Sequence, residues 1–166
     1  SGTIAVGLNA ATTIGTTTAG QAAGQSVGSA YAKANAINSA GVSGLTATAA
    51  NNVRLQIGST TLTDAVDRLQ ITINGTAVVD QTGTAGTVVT AQTVVDSINA
   101  NSNDTGVSAV LNGGNLLLST TDGRDIAIGQ TITDAGAGAV VGTGVVIGTG
   151  DTTLNGVTYN SGTIGA

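Results

Sequence analysis

Four aspartates stand where oxygen chemistry is conceivable: Asp122 and Asp125, three residues apart, with Asp96 and Asp104 earlier in the chain. Clustered carboxylates can hold Ca²⁺, which takes roughly six to eight oxygens, and paired carboxylates can cleave glycosidic bonds. The EF-hand loop pattern is absent, however, and Asp among Gly, Asn and Thr makes turns by bonding its own backbone. Tyr31 and Tyr159 are the only aromatic residues, which leaves little to stack a sugar. With neither Cys nor His, thiolate nucleophiles, Cys/His zinc sites, Ser-His-Asp triads and HExxH centres cannot be built. The glycine series "GAGAVVGTGVVIGTG" at 136–150 is followed by a strand-like run, whereas a dinucleotide fingerprint must open a helix. It reads as glycine at the bends and bulges of a sheet. Asn74-Gly75-Thr76 and Asn103-Asp104-Thr105 are formal glycosylation acceptors, read here as accidents of a Thr-rich surface. No catalytic, cofactor-binding or metal-ligating residue emerges, no cofactor is expected, and the sequence does not read as an enzyme.

Charge narrows the partners. Lys33, Arg54, Arg68 and Arg124 face nine Asp and no Glu, for a net charge of −5. Nucleic-acid affinity rests on Lys and Arg neutralising phosphates, so no nucleic-acid partner is expected. No basic segment leads into an apolar core at the start, and no run approaches the ~18 apolar residues of a membrane span, so no membrane insertion is expected. The 166 residues suffice to bury roughly 70% of the unfolded surface. Lacking Phe, Trp, Met and Pro, the protein must fill its core with Val, Ile, Leu and Ala, which leaves little room for a deep, aromatic-walled pocket.

The elements that carry these residues follow from periodicity. In "TAQTVVDSINAN", Ala91, Val94, Val95 and Ile98 fall on one helical face, with Thr90 as N-cap. The β-branched pair lowers helix propensity, so this helix must pack on a sheet to persist. "NSNDT" then reads as a polar break. Val107, Ala109 and Leu111 alternate up to a hairpin turn at "NGG" (112–114), "NLLLST" returns, and "RDIAIG" offers a further strand with Ile126 and Ile128 on one face. Ahead of the helix, Leu69, Ile71 and Ile73 alternate inward up to a turn at Asn74-Gly75. The termini, "GTIAVGLNA" and the Gly-punctuated run after 140, read as strands, with another hairpin at Asn155-Gly156.

An earlier stretch repeats the pattern. "SVGSAYAKANAINSAG" has helical spacing at Val27, Tyr31, Ala34 and Ile37, ends in Ile37-Asn38 as the later helix ends in Ile98-Asn99, and precedes an alternating run and a return strand, "NNVRLQIGSTT". Aligning Gly41-Val42-Ser43 with Gly106-Val107-Ser108 places a four-residue insertion in the second copy. The expected fold class is therefore α+β: two small units, each with one helix packed on an antiparallel sheet, between strand-rich, Gly-punctuated termini. Residues 1–67 form the first unit, completed by 130–166; residues 68–129 form the second.

The ordered residues resemble a known family. "SAYAKANAIN..GVSGLTATA" and "ITINGTAVV...VVDSINANSNDTGVSAVLNGGNLLLSTTDGRDIAI" are similar to the segments of bacterial flagellins that carry the flagellin/hook "IN" motif, over roughly residues 26 to 128. The first copy departs from the pattern in having "GSTTLTDAVDRLQI" where the second has Asp-Gly followed by Asp-Ile-x-Ile. The resemblance implies an outer, hypervariable-type flagellin domain: extracellular, on the bacterial flagellum, structural, and exposed on the filament surface. It further implies polymerisation with other flagellin subunits through helical regions outside this sequence, and O-glycans on Ser or Thr. The same motif occurs in flagellar cap and hook-associated proteins, the alternative within that apparatus. An adhesin module that binds glycans is the alternative from another class.

Overall fold

The computed structural model describes residues 2–134, 140–142, 145–146, 152–154 and 157–159. An N-terminal hairpin of β1 (Gly2–Ile4) and β2 (Thr12–Ile14) leads to α1 (Ala30–Ser39). Strands β3 (Asn51–Ile57), β4 (Thr60–Leu62), β5 (Arg68–Ile73), β6 (Thr76–Thr82) and β7 (Thr87–Val89) follow, then α2 (Ala91–Ala100) and the single turn α3 (Ser102–Thr105). The hairpin β8 (Ser108–Asn112) and β9 (Asn115–Thr120) precedes β10 (Ile128–Thr133) and the short strands β11 (Val141–Gly142), β12 (Val145–Val146), β13 (Thr152–Leu154) and β14 (Val157–Tyr159). The sheets are antiparallel, in the orders β10-β5-β6, β11-β4-β7 and β12-β3-β9-β8, with separate pairs β1-β2 and β13-β14. The α+β class expected from the sequence is the class observed. Strand pairing crosses residue 67: β3 lies between β12 and β9.

Period-two alternation explains the sheet faces. Val53, Leu55 and Ile57 of β3, Leu69, Ile71 and Ile73 of β5, and Leu116 and Leu118 of β9 point into one aliphatic cluster with Val94, Val95 and Ile98 of α2. The β-branched pair of α2 thus receives the sheet packing it requires, and Thr90 caps the helix by accepting from the Thr93 N–H. In β6, the register against β5 shifts between Ile71 and Thr72, so that adjacent Val78 and Val79 are both buried. A bulge permits what strict alternation forbids.

The repeat is visible in the helices and in what closes them. Ser29 caps α1 as Thr90 caps α2. The Asn38 carboxamide donates to the Ala47 carbonyl at 2.9 Å and accepts from its N–H at 2.7 Å. The Asn99 carboxamide does the same to Ala109, at 2.9 and 2.8 Å. Ala47 therefore corresponds to Ala109, which corrects the expected alignment after the helix: the insertion is one residue and not four.

Other expectations are corrected too. Residues 42–50 form no strand, and β3 returns against β9 rather than against them. Both edges of β3 are occupied by β9 and β12, so no ladder remains for that run. Val27 precedes α1 and is exposed, and Ala32 is the residue of that helix that is fully buried. The polar break at "NSNDT" contains α3: Thr105 Oγ1 donates to the Asn101 carbonyl at 3.0 Å, and Gly106 ends the turn at φ 68°. Residues 124–127 are not a strand, although Ile126 and Ile128 are both buried. Their polar groups are engaged elsewhere, as described next.

Candidate functional site

The segment Asp122-Gly123-Arg124-Asp125 is densely hydrogen-bonded. It receives residues 23–26, about a hundred positions earlier in the sequence. Arg124 Nε and Nη2 donate to the Asp122 carboxylate at 3.0 and 2.8 Å, while Nη1 donates to the carbonyls of Ala23 at 3.2 Å and Thr105 at 3.3 Å. Gln25 Nε2 donates to Asp122 Oδ2 at 3.0 Å, and Ser26 Oγ donates to Asp125 Oδ2 at 2.5 Å. Backbone bonds complete the clasp, from Asp125 N–H to the Gly24 carbonyl at 2.7 Å and from Tyr31 N–H to the Gly123 carbonyl at 2.9 Å.

Glycine at position 24 is required by this approach. Its φ is +78°, and a Cβ there would lie 2.6 Å from both the Asp125 carbonyl oxygen and Asn74 Nδ2. Asn74 is itself locked: Nδ2 donates to the Thr105 carbonyl at 3.0 Å, Oδ1 accepts from Ala127 N–H at 2.8 Å, and its own N–H donates to the Ala127 carbonyl at 2.8 Å.

The electrostatics of the clasp are those of a fastener. Partial burial pushes the Asp122 carboxyl up, but hydrogen bonds from Arg124 and Gln25, the Arg124 N–H and the guanidinium charge outweigh burial and hold it at about 2. An acid held that low does not supply the protonated carboxyl that glycoside cleavage needs. Arg124 spends its donors on Asp122 and two carbonyls, leaving little of its planar fork for a ligand anion. Beside it lies an open groove of about 420 Å³, lined by Ser102, Ser108, Ser119 and Thr121 with Arg124 and Asp122. A second groove, about 260 Å³, runs past Tyr31, Asn35, Asn38, Thr121 and Asp122.

The aspartates weighed as metal ligands separate. Asp122 and Asp125 serve the clasp, Asp96 accepts from Gln92 at 2.8 Å on α2, and Asp104 lies exposed on α3. Among the described residues no group of three Asp, Glu, His or Cys could hold a metal ion. Of the two formal glycosylation motifs, Asn74 is engaged by the bonds above, whereas in the second Asn103 is exposed and Thr105 is buried and accepts from Val107 N–H at 3.2 Å. Of the glycine series, β11 and β12 pair with β4 and β3, and most of the remainder lies outside the described residues. The Asn155-Gly156 turn also lies outside them, between paired β13 and β14. No helix among the described residues is long and apolar enough to cross a membrane.

Sequence reasoning missed Gly24, Gln25 and Ser26 as partners of the aspartates, because nothing local marks a contact across a hundred residues. The carboxamides of Asn38 and Asn99 did carry a signal, the repeated Ile-Asn at a helix end. In comparisons with known proteins, no family model matches the sequence and no curated protein matches it.

Proposed function

We propose that this protein is a structural module: the solvent-exposed outer domain of an extracellular flagellar filament subunit, joined to its neighbours through helical regions outside this sequence. The observation that supports this reading is the twice-used device of a capped ten-residue helix whose Ile-Asn end grips the backbone of the following run. It falls on the residues that resemble the flagellin "IN" motif. The polar network at Asp122–Asp125 supports the same reading, since its groups hold distant segments together. In this role the module sets the chemistry of the filament exterior, with Ser and Thr side chains available to O-glycans.

Mass spectrometry of sheared extracellular filaments, with sequencing of the parent protein's termini, tests the proposal. The segment should occur in the dominant subunit, flanked by long amphipathic helices. Its presence only in a trace species would favour a cap or hook-associated protein. A glycan-binding adhesin is the reading that the groove at Tyr31 favours, because an aromatic residue lines it together with the polar residues Asn35 and Thr121. Absence from filaments, together with glycan binding abolished by Tyr31→Ala, would replace the filament reading with that one.

A further inference from the structure

Two Asn-Gly pairs within the described residues sit in contrasting environments. At Asn74-Gly75 the turn residues take φ +50° and +84°, and both side-chain polar atoms of Asn74 are hydrogen-bonded to Thr105 and Ala127. At Asn112-Gly113, the tip of the β8–β9 hairpin, Asn112 and both turn glycines are exposed. There the local bonds, from Asn115 Nδ2 to the Asn112 and Gly113 carbonyls at 3.2 and 3.1 Å, engage the Asn112 backbone and not its carboxamide.

We infer that Asn112 is a site of spontaneous covalent modification, deamidation through a cyclic imide, and that the fold shields Asn74 from the same reaction. In this chemistry the backbone nitrogen of the following glycine, having lost its proton to base, attacks the Asn Cγ. A new bond forms between that nitrogen and Cγ, the bond from Cγ to the carboxamide nitrogen breaks, and the amide nitrogen leaves with the returned proton as ammonia. Water then opens the imide at either carbonyl, giving aspartate or isoaspartate. The sum is one water consumed and one ammonia released, with no change of oxidation state. Glycine favours the attack because it has no Cβ to obstruct the ring. To reach the imide Asn74 must surrender its side-chain bonds to Thr105 and Ala127, whereas the Asn112 carboxamide has no such bond to surrender and only the local hairpin contacts of Asn112 must yield.

The product matters at that position. Either acid adds a negative charge to a protein already at −5, and isoaspartate inserts a methylene into the backbone where the hairpin closes through the Asn112–Asn115 pair.

The test is incubation of the whole native protein in mildly alkaline buffer, with peptide mapping by mass spectrometry and separation of anionic isoforms. A parallel incubation in denaturant reports each site's rate without the fold. Asn112 should react at least about tenfold faster than Asn74 in the native protein, the ratio expected from breaking two part-buried hydrogen bonds on the way to the transition state, and the two rates should converge in denaturant. Equal native rates, a ratio that persists in denaturant, or an Asn112 that survives natively while the denatured protein reacts would each overturn the inference. Asn112→Gln should remove the fast anionic isoform without altering the melting temperature.

Discussion

The Asn99 side chain and the Ala109 backbone form a closed ring of two hydrogen bonds, 2.8 Å into Asn99 Oδ1 and 2.9 Å out of Nδ2. Strand β8 is the edge of its sheet, and in a two-residue hairpin closed by Asn112 and Asn115 the outward-facing backbone groups include those of Ala109. Asn99 therefore occupies an edge position at which a foreign strand could otherwise pair. Asn99→Ala should cost about 1–3 kcal/mol, since Ala109 is buried and loses both partners. Asn38→Ala should cost less, roughly 0.5–1.5 kcal/mol, because its bonds to Ala47 are solvent-exposed. Urea denaturation of both variants checks the order, and a larger loss at Asn38 would contradict this role for the edge.

Ile98 is fully buried on the inner face of α2. Ile98→Ala should remove about 2–5 kcal/mol through lost transfer energy and a cavity. Ile98→Asp should abolish cooperative melting, because an unpaired carboxylate would be driven into an aliphatic core. A native-like thermal transition in the Asp variant would show that this helix face has been misassigned.

Acid should weaken the clasp within a defined window. The Asp122 carboxyl titrates at about 2 in the fold and near 3.9 in an unfolded polypeptide. A folded value below the unfolded one stabilises fully above the unfolded value, and that stabilisation is lost as pH falls through the folded one. Between about pH 4 and pH 2 the protein should lose on the order of 1 kcal/mol through this group, a figure reduced for solvent screening. Asp122→Asn should flatten that part of the stability profile, and an unchanged slope would remove Asp122 as its source.

Gly24 and Gly41 both have left-handed backbones, at φ +78° and +66°. A Cβ on Gly41 meets nothing within 4 Å, so Gly41→Ala should cost only the conformational term of roughly 1–2 kcal/mol. Gly24→Ala adds a collision with the Asp125 carbonyl and the Asn74 amide, and its cost should exceed that of Gly41→Ala by at least ~1 kcal/mol. Equal losses in denaturant titrations would mean that residues 23–26 are not pinned as described.

What the sequence determined by itself is what depends on neighbours a few positions away. The face of α2, its Thr90 cap, the alternation of β5 and β9, and the turns at Asn74-Gly75 and 113–114 all follow from local periodicity and φ preference. The repeated Ile-Asn was legible too, although its alignment beyond the helix required the clamps at Ala47 and Ala109. Tertiary structure decided the rest. Whether 42–50 becomes a strand depended on what occupies the edges of β3, and whether 124–127 does depended on Asn74 and residues 23–26. The roles of Asp122 and Asp125 were decided in the same way. Short Asp, Asn and Gly segments satisfy their polar groups locally or across a hundred residues with similar energies, and only the packed core brings the distant partners within reach.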